Sequence, residues 1–504
     1  MAETSGSPPR GVQFPLVDGR RSTSATGREV FAAAAAAVDV DLARRIADAP
    51  RWHETYADLL RELVRADLMH PDGDPDAVPR AGLAAIDAAF TYDRDGASRP
   101  LTDVWAIDPG FELATVTVRG RGERATEVVV PLADRELRGD PLKRQLEAWD
   151  EAGAIEPSVA SAVGAVIDRP DWLDLSDLTV LVLGAASEMG PLAHLARWGA
   201  TLVPVDLPRP HLWERILAAV RDGAGQALVP VRHPVDHDDL AALAVVAGAD
   251  VDTELPELAT WVDTLGHLDV AGTYVYADGA DNVRVSLAAD LLTRRLAARG
   301  DGVVLAGLLT PTDVYAAPAA AVAAARRRLA DQGPAARIAH RASRRRGFRA
   351  QYTDAVTTPG GAAYGLADCQ VPQQGPNYAL AKRLARWRLR VARADGTAVS
   401  ANVAPATSTR SVTSNRLLAA AYAGAHHFGV EVFAPPTSTA LMAALLVRDL
   451  RDPAAPGRPD TTLDHPLALF ADTAAHGGLW RMAWAPRSVL PLAAVAGLPA
   501  TLRR

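Results

Sequence analysis

The sequence predicts an α/β protein built on a doubly wound parallel sheet, with an added N-terminal α+β domain. After residue 176, five short apolar runs lack the alternation of a strand with one solvated face, so each fits a strand buried on both faces. Segments with helical periodicity separate these runs, and strands that alternate with helices form parallel sheets with helices on both faces. The runs are Leu178–Leu183, Thr201–Val205, Ala227–Val231, Gly272–Ala277 and Gly302–Leu309.

The residues before the sheet have a different character. Residues 1–25 are rich in Ser, Gly, Pro and Thr, which predicts a flexible tail, and residues 26–175 form the expected added domain. Phe111–Val118 and Glu127–Leu132 are apolar or alternating on either side of a glycine-containing turn, which predicts a β-hairpin. Helical periodicity marks four further segments: Glu29–Ala49, Trp52–Leu68, Leu142–Ala152 and Ser158–Ile167.

Length and composition limit the function classes. A chain of 504 residues favours two or three domains. Its 49% hydrophobic and 22% charged residues are typical of a globular protein. The net charge of −7 argues against a nucleic-acid partner, because nucleic-acid-binding domains are usually basic. Cys369 is the single cysteine, which excludes an internal disulfide and a cysteine-rich metal site.

Two features bear on location. The N-terminus lacks the apolar core of a signal peptide. The longest apolar stretch, around residues 488–502, contains prolines and is too short to span a bilayer. We therefore expect a cytoplasmic protein without a membrane partner, and we expect it to be a homo-oligomer.

A glycine-containing loop follows the first apolar run of the sheet. It has the sequence Leu-Gly-Ala-Ala-Ser-Glu-Met-Gly-Pro over residues 183–191, with glycines at Gly184 and Gly190. One glycine allows a sharp turn at the strand end, and the other lets the backbone approach a pyrophosphate near the N–H groups of the next helix. Pro191 fits the first turn of that helix. The alternative is a strand-to-helix turn that binds no ligand.

Asp206 ends the second apolar run, 22 residues after Gly184. An acidic residue at this distance would accept hydrogen bonds from the adenosine ribose. Its charge would also repel a 2′-phosphate, so NAD is expected rather than NADP. The nearby Arg209 could reverse that preference.

Tyr378 and Lys382 are spaced i, i+4 at the start of another helical segment, which puts them on one helix face. Lysine occupies only two of the 53 basic positions, Lys143 and Lys382, so its presence beside a tyrosine is informative. A nearby ammonium group favours the phenolate and would lower the pKa of the tyrosine. Such a tyrosine can exchange a proton with a carbonyl or alcohol oxygen. The alternative is an ordinary pair on a surface helix.

Together these residues resemble the short-chain dehydrogenase/reductase family over about residues 176–452. Tyr378 and Lys382 match the family's Y-x-x-x-K pair, and residues 404–406, Ala-Pro-Ala, are similar to its strand-end A-P-G. The segment from Pro435 resembles the late helix of the fold. The resemblance implies a Rossmann-like sheet, a nicotinamide cofactor, Tyr378 as acid/base, and Lys382 as the residue that holds the nicotinamide ribose.

The same resemblance extends to the glycine loop, which is similar to the family's T-G-x-x-x-G-x-G pattern. Leu183 replaces the threonine, and Glu188 replaces the middle glycine and brings a negative charge close to the expected pyrophosphate. The cofactor-binding residues implied by the resemblance are Gly184, Ser187, Glu188, Met189, Gly190, Asp206, Asp236, Asp278, Gly279 and Pro405. Asn282 is a candidate for the family's proton-relay asparagine.

The family's catalytic serine has no counterpart at its usual distance before the tyrosine. The fifth strand is expected to end near Leu309, so residues 310–377 form an insertion between strand and tyrosine. Thr310 and Thr312 are then the candidate catalytic hydroxyls. Residues 453–504, with Trp480 among them, are expected to pack onto the body as an extension.

Three other groups of residues have simpler explanations. His233, His237 and the neighbouring aspartates lack a further recognisable ligand cluster, so no metal is expected. The basic segment 325–349 is typical of a solvated helix and loop, and a site for an anionic substrate is the alternative. His426 and His427 lie in an apolar segment and suit a structural or substrate-lining role.

The sequence therefore predicts an NAD(P)-dependent oxidoreductase that interconverts a small-molecule carbonyl and an alcohol. The alternative is a dinucleotide-binding sensor or scaffold that has lost catalysis. A third option is dehydration or epimerisation on the same fold.

Overall fold

The computed structural model describes residues 9–17, 19–70, 73–334, 338, 341, 348–353 and 355–501. The strands are β1 Gly11–Gln13, β2 Leu16–Val17, β3 Arg20–Arg21, β4 Thr91–Arg94, β5 Ala97–Pro100, β6 Ala114–Arg119, β7 Val130–Leu132, β8 Arg135–Leu137, β9 Thr179–Leu183, β10 Thr201–Val205, β11 Gln226–Val231, β12 Val270–Thr273, β13 Val304–Leu309, β14 Val314–Pro318, β15 Val356–Thr357, β16 Ala363–Asp368 and β17 Val399–Val403.

The described α-helices are α1 Thr23–Ala36, α2 Val40–Ala47, α3 Trp52–Leu68, α4 Ala77–Ala89, α5 Gly139–Ala152, α6 Pro157–Asp168, α7 Leu192–Arg197, α8 Pro210–Arg221, α9 Leu240–Val246, α10 Leu255–Asp263, α11 Gly279–Ala297, α12 Ala319–Ala330, α13 Gly375–Ala394, α14 Arg410–Thr413, α15 Arg416–Ala423, α16 Pro435–Arg451 and α17 Pro486–Thr501. Among the described residues, no helix combines the length and the apolar character needed to cross a bilayer.

A seven-stranded sheet forms the centre of the molecule, in the order β17-β13-β12-β9-β10-β11-β6. Six of its strands are parallel, and β6 pairs with β11 in the antiparallel direction. The parallel order is that of doubly wound α/β folds, in which the crossover direction reverses between β9 and β12. All five apolar runs overlap strands of this sheet, although β12 ends at Thr273 and covers only the first two residues of the fourth run. The predicted fold class is confirmed at the level of a Rossmann-like sheet flanked by helices.

The predicted hairpin is wrong, because its two halves separate. Val116 and Val118 of β6 lie on the edge of the central sheet, and β7 pairs with β8 instead. The intervening glycines do not form a hairpin turn. The N–H of Gly120 donates to Gly225, and a Cβ at Gly120 would lie 2.1 Å from the carbonyl oxygen of Gly223. These glycines allow close approach to the turn before β11.

The added N-terminal domain is not confirmed as a separate unit. Strand β6 shares its apolar core with the sheet strands β9 and β10. Helices α1, α3 and α4 pack on α13, where the ring of Trp387 leaves no room for a Cβ at Gly82. Arg390 of α13 is buried and pairs with Asp67 and Asp76.

Part of the expected tail is also ordered. Strand β1 pairs with β4, and Asp252 accepts a hydrogen bond from the N–H of Val12 at 2.8 Å. Residues 1–8 of that segment lie outside the described residues, as do residues 342–347 of the basic segment. Arg326–Arg328 lie in helix α12.

The insertion and the C-terminal extension both pack on this body. Strands β14, β16 and β15 form a separate antiparallel sheet. The C-terminal Trp480 is fully buried, with its ring 5.4 Å from that of Tyr315. The side chain of Arg481 forms an ion pair with Glu156.

Candidate active site

Helix α13 follows the insertion and leads into β17. Gly375 begins it with a φ of 79°, and Pro376 occupies the first turn, where its missing N–H costs nothing. Its arginines fix it in the core, since Arg383 and Arg386 both pair with the buried Asp313. Burial alone would raise the pKa of Asp313, but the two guanidinium groups lower it to about 2. The helix is therefore held rigidly against the residues that follow β13.

A chain of hydroxyl groups runs from Tyr378. The phenol donates a hydrogen bond to Thr310 Oγ1 at 2.8 Å, across 68 residues of sequence. Thr310 Oγ1 lies 2.9 Å from Thr312 Oγ1, and Thr312 donates to Gln374 Oε1 at 2.9 Å. Because Gln374 Oε1 only accepts, the proton of Thr310 points to Thr312, and each hydroxyl donates away from Tyr378. Both threonine candidates therefore lie next to the tyrosine.

Lys382 lies one turn further along the same helix. Its Nζ is 5.6 Å from the ring centre of Tyr378 and 6.0 Å from that of Tyr276. Among the described residues, none forms an ion pair or a hydrogen bond with this ammonium group. Burial lowers the pKa of Lys382 to about 8.

The pKa of Tyr378 is shifted in the direction opposite to the predicted one. Burial raises it above the ordinary value, while the hydrogen bonds with Thr310 and Thr312 lower it by less. The expectation that Lys382 lowers this pKa is wrong for the structure as it stands, because its ammonium lies over the ring and not at the hydroxyl. The phenol is therefore protonated at neutral pH and suits a proton donor.

A small cavity lies in front of this pair. Its volume is about 10 Å³, close to the space of one water molecule. The polar residues that line it and bear on the chemistry are Tyr56, Thr312, Gln370, Gln374, Tyr378 and Lys382. A larger cavity of about 720 Å³ lies between residues 124–128 and 166–174, and it contains none of the predicted site residues.

The glycine loop lies at the carboxyl end of β9, beside β12. Gly184 has a φ of 81°, and a Cβ there would lie 2.8 Å from the backbone of Tyr274 and Val275. Glycine is required at this position because the loop crosses the end of the neighbouring strand. Gly190 has no such strain, and its N–H donates to the carbonyl of Ser187. Pro191 caps helix α7, as expected.

Asp206 lies at the end of β10, and its carboxylate already binds the protein. Oδ2 accepts from the N–H of Ala186, and Oδ1 accepts from Leu207, both at 2.8 Å. Burial raises the pKa of Asp206 despite these bonds. Each oxygen keeps a second lone pair, so the residue can still accept from a ribose hydroxyl.

Glu188 turns away from the loop backbone. Its carboxylate accepts from the N–H of Arg410 at 2.8 Å, at the start of helix α14. The electrostatic conflict with a pyrophosphate is thereby reduced. Ser187 and Met189 lie within the loop, partly buried.

The remaining predicted cofactor residues occupy three other strand ends. Asp278 is exposed and accepts from the phenol of Tyr276 at 3.0 Å, and Gly279 follows it with a φ of 59°. Pro405 is buried after β17. Asp236 is exposed after β11, where its Oδ1 accepts from the N–H of Asp238.

Asn282 is buried behind Ala277, whose N–H donates to its Oδ1 at 3.2 Å. The Nδ2 group of Asn282 has no partner among the described residues. No contact links Asn282 to Tyr378 or Lys382 in the described part of the chain.

The exposed side chains of Asp236, His237 and Asp238 come within 4.8 Å of one another through one possible ligand atom each. Asp238 is already paired with Arg121 and Arg221. His237 lies 3.5 Å from Asp236 and 3.6 Å from Asp238, so these exposed groups already have partners within the protein, and the cluster supports no metal assignment.

Sequence reasoning missed Tyr56 and Gln370. Tyr56 comes from α3, and its phenol donates to the carbonyl of Pro372 at 3.3 Å. Because Tyr56 lies on the apolar face of α3, its position in the sequence predicts a core residue. Gln370 comes from the insertion, where no periodicity or motif singles out a polar residue.

Comparison with models of known protein families finds no match to this chain, and comparison with curated proteins finds none either. The resemblance to the short-chain dehydrogenase/reductase family therefore rests on the sequence motifs.

Proposed function

We propose that the protein is an NAD(P)-dependent oxidoreductase that interconverts a carbonyl and an alcohol, as a member of the short-chain dehydrogenase/reductase family. The observation that carries this proposal is the hydrogen bond from Tyr378 to Thr310, one helical turn from Lys382, which has no ion-pair or hydrogen-bond partner among the described residues. These groups lie at the carboxyl edge of a doubly wound sheet, where such folds bind their ligands.

In the reducing direction, Tyr378 donates its proton to the carbonyl oxygen. The carbonyl oxygen accepts from Tyr378 in place of Thr310, and Thr310 can also donate to it once its hydroxyl turns away from Thr312. The raised pKa of Tyr378 keeps it protonated before the reaction. Once the phenolate has formed, Thr310 can turn and donate to it, and Thr312 can then donate to Thr310. The proton that restores Tyr378 comes from bulk solvent: a water in the cavity passes a proton to Thr312 and takes one from solvent, so no hydroxide is left in the site.

The residues present fit a dinucleotide. Gly184 lets the loop turn closely over the end of β12, Asp206 retains lone pairs for the adenosine ribose, and Lys382, without a hydrogen-bond partner among the described residues, suits the nicotinamide ribose. A bound nicotinamide cofactor would supply or accept the hydride. The negative charge of Asp206 favours NAD over NADP.

The first test is nucleotide binding followed by turnover. Calorimetry with NAD(H) and NADP(H) is expected to show binding, with NAD(H) tighter. A panel of ketones, aldehydes and secondary alcohols, followed by nicotinamide absorbance, is then expected to reveal turnover. Absence of binding by either nucleotide would exclude the proposal.

A sensor or scaffold role is the second candidate, and one observation favours it. The carboxylate of Asp206 and most loop N–H groups are already bonded within the protein, and the cavity has room for only about one water. Tight nucleotide binding without turnover on the whole panel would favour this candidate.

A further inference from the structure

Tyr276 connects the end of strand β12 with the lysine of helix α13. It is the third residue after β12, and 49% of its surface is exposed, so the apolar core contributes little to holding its ring. Its phenol donates a hydrogen bond to Asp278 Oδ1 at 3.0 Å, immediately before helix α11. The outer end of the Tyr276 ring is therefore fixed by a hydrogen bond to its own loop.

The ammonium group of Lys382 lies over two tyrosine rings. Its Nζ is 5.6 Å from the ring centre of Tyr378 and 6.0 Å from that of Tyr276. The face of an aromatic ring is negative and attracts an ammonium group within about 6 Å. No hydrogen bond or ion pair joins Lys382 to another described residue, so these two rings supply the attraction that the described structure offers to its charge.

The two rings constrain the ammonium group differently. Tyr378 lies four residues before Lys382 on the same helix, so their contact is local to that helix. Tyr276 belongs to the loop after β12, so its contact joins the lysine to the end of a different element. Only the contact with Tyr276 fixes the ammonium relative to the carboxyl edge of the sheet, where ligands of such folds bind.

We propose that Tyr276 is a positioning residue whose ring holds the Lys382 ammonium at the carboxyl edge of the sheet, and that Asp278 holds this ring in place. The proposal rests on the proposed function, in which Lys382 contacts the nicotinamide ribose. Asp278 then acts through Tyr276, which differs from the direct cofactor contact that the family resemblance implies.

The experiment measures the pKa of Lys382 by NMR. Protein grown with isotope-labelled lysine has only two labelled side chains, Lys143 and Lys382, and Lys143→Arg assigns their signals. Tyr276→Leu keeps an apolar cover near the ammonium group but removes the negative ring face. The pKa of Lys382, about 8 in the wild type, is expected to fall by about half to one pH unit in this variant. Tyr276→Phe keeps the ring and is expected to lower the pKa less.

Phe111→Leu is the matched control. The guanidinium of Arg232 lies 3.8 Å from the centre of the Phe111 ring, so this variant removes a ring contact of the same kind that involves no lysine. It is expected to leave the pKa of Lys382 at its wild-type value.

A second pair of variants tests Asp278 without changing the ring, and it decides if Tyr276→Leu does not fold. Asp278→Asn and Asp278→Ala remove the same negative charge, but only asparagine keeps an acceptor for the phenol of Tyr276. The pKa of Lys382 is therefore expected to be lower in Asp278→Ala than in Asp278→Asn. Equal values in the two variants would contradict the role of Asp278.

A rise in the pKa of Lys382 in Tyr276→Leu would overturn the proposal, because the ring would then only exclude water from the ammonium group. An unchanged pKa would overturn it as well. Calorimetry with NAD(H) separates this proposal from the proposed function. A lowered pKa together with about threefold to tenfold weaker NAD(H) binding by Tyr276→Leu would support both. A lowered pKa, with no nucleotide binding by the wild type, would support the positioning of Lys382 and contradict the proposed function.

Discussion

The glycine loop and the Tyr378 cleft both lie beyond strand ends of one sheet, yet their polar groups are satisfied differently. In the loop, the N–H groups of Gly184 and Ala186 bond to Val205 and Asp206 of the next strand. In the cleft, the buried Gln370 Oε1 has no hydrogen-bond partner among the described residues, and the partly buried Lys382 forms no ion pair or hydrogen bond with them. Unpaired buried polar groups are costly, so the cleft offers more binding energy to a ligand than the loop does.

The comparison predicts that the largest loss of function comes from the cleft. Tyr378→Phe is expected to reduce kcat by about 10²–10⁴-fold, because the positioned proton donor is lost, while nucleotide affinity stays unchanged. Steady-state kinetics and calorimetry check the two statements.

Tyr92→Phe is the control for that change, since the buried phenol of Tyr92 also lacks a described partner but lies outside the cleft lining. It is expected to keep wild-type turnover. Wild-type turnover by Tyr378→Phe would mean that another group donates the proton.

Lys382 gives the next largest effect and a pH signature. Its pKa of about 8 means that the ammonium is charged below that pH and neutral above it. The rate of carbonyl reduction is therefore expected to fall as pH rises through about 8, although Tyr378, with its raised pKa, is still protonated there.

Lys382→Arg keeps the charge at all these pH values but cannot place a compact ammonium, so kcat is expected to fall about 10- to 100-fold and the decline above pH 8 to disappear. Lys143→Arg is the control, because Lys143 pairs with Asp168 at the surface. If the decline near pH 8 persists in Lys382→Arg, another group produces it.

At the loop, Asp206→Ala is expected to weaken NAD binding about tenfold, the loss of one hydrogen bond to a charged group. NADP binding should change less, because the removed charge also repelled its 2′-phosphate. Calorimetry with both nucleotides measures the difference. Tighter NADP than NAD binding by the wild type would contradict the assigned role of Asp206.

Glu188 is expected to give the smallest effect. Its carboxylate binds Arg410 and turns away from the loop backbone, so Glu188→Gly should leave nucleotide affinity within about threefold or improve it. Titration calorimetry of this variant checks the expectation. A large loss of affinity would show that the contact between Glu188 and Arg410 shapes the binding site.

The sequence predicted the parts of the fold that depend on near neighbours. The predicted bounds are correct for the helix Trp52–Leu68 and for the strand Thr201–Val205. Helical periodicity and a short apolar run are both local properties of the sequence. The hairpin at residues 111–132 failed, since its first half finds a better partner on the sheet edge at β11. Tyr56 was not predicted as a site residue, because the pattern of an amphipathic helix does not indicate which residue of its apolar face lines a cavity formed by distant segments.

The sequence by itself determined the alternation of strands and helices and the placement of Tyr378 and Lys382 on one helix face. The strands follow from short continuous apolar runs, and the helices and the shared face follow from a repeat of 3.6 residues. Tertiary structure decided what these residues touch: Thr310 reaches Tyr378 across the insertion, and burial is the largest cause of the shift in both pKa values. The reason is that hydrogen bonds and desolvation depend on groups far apart in the chain, which no local pattern encodes.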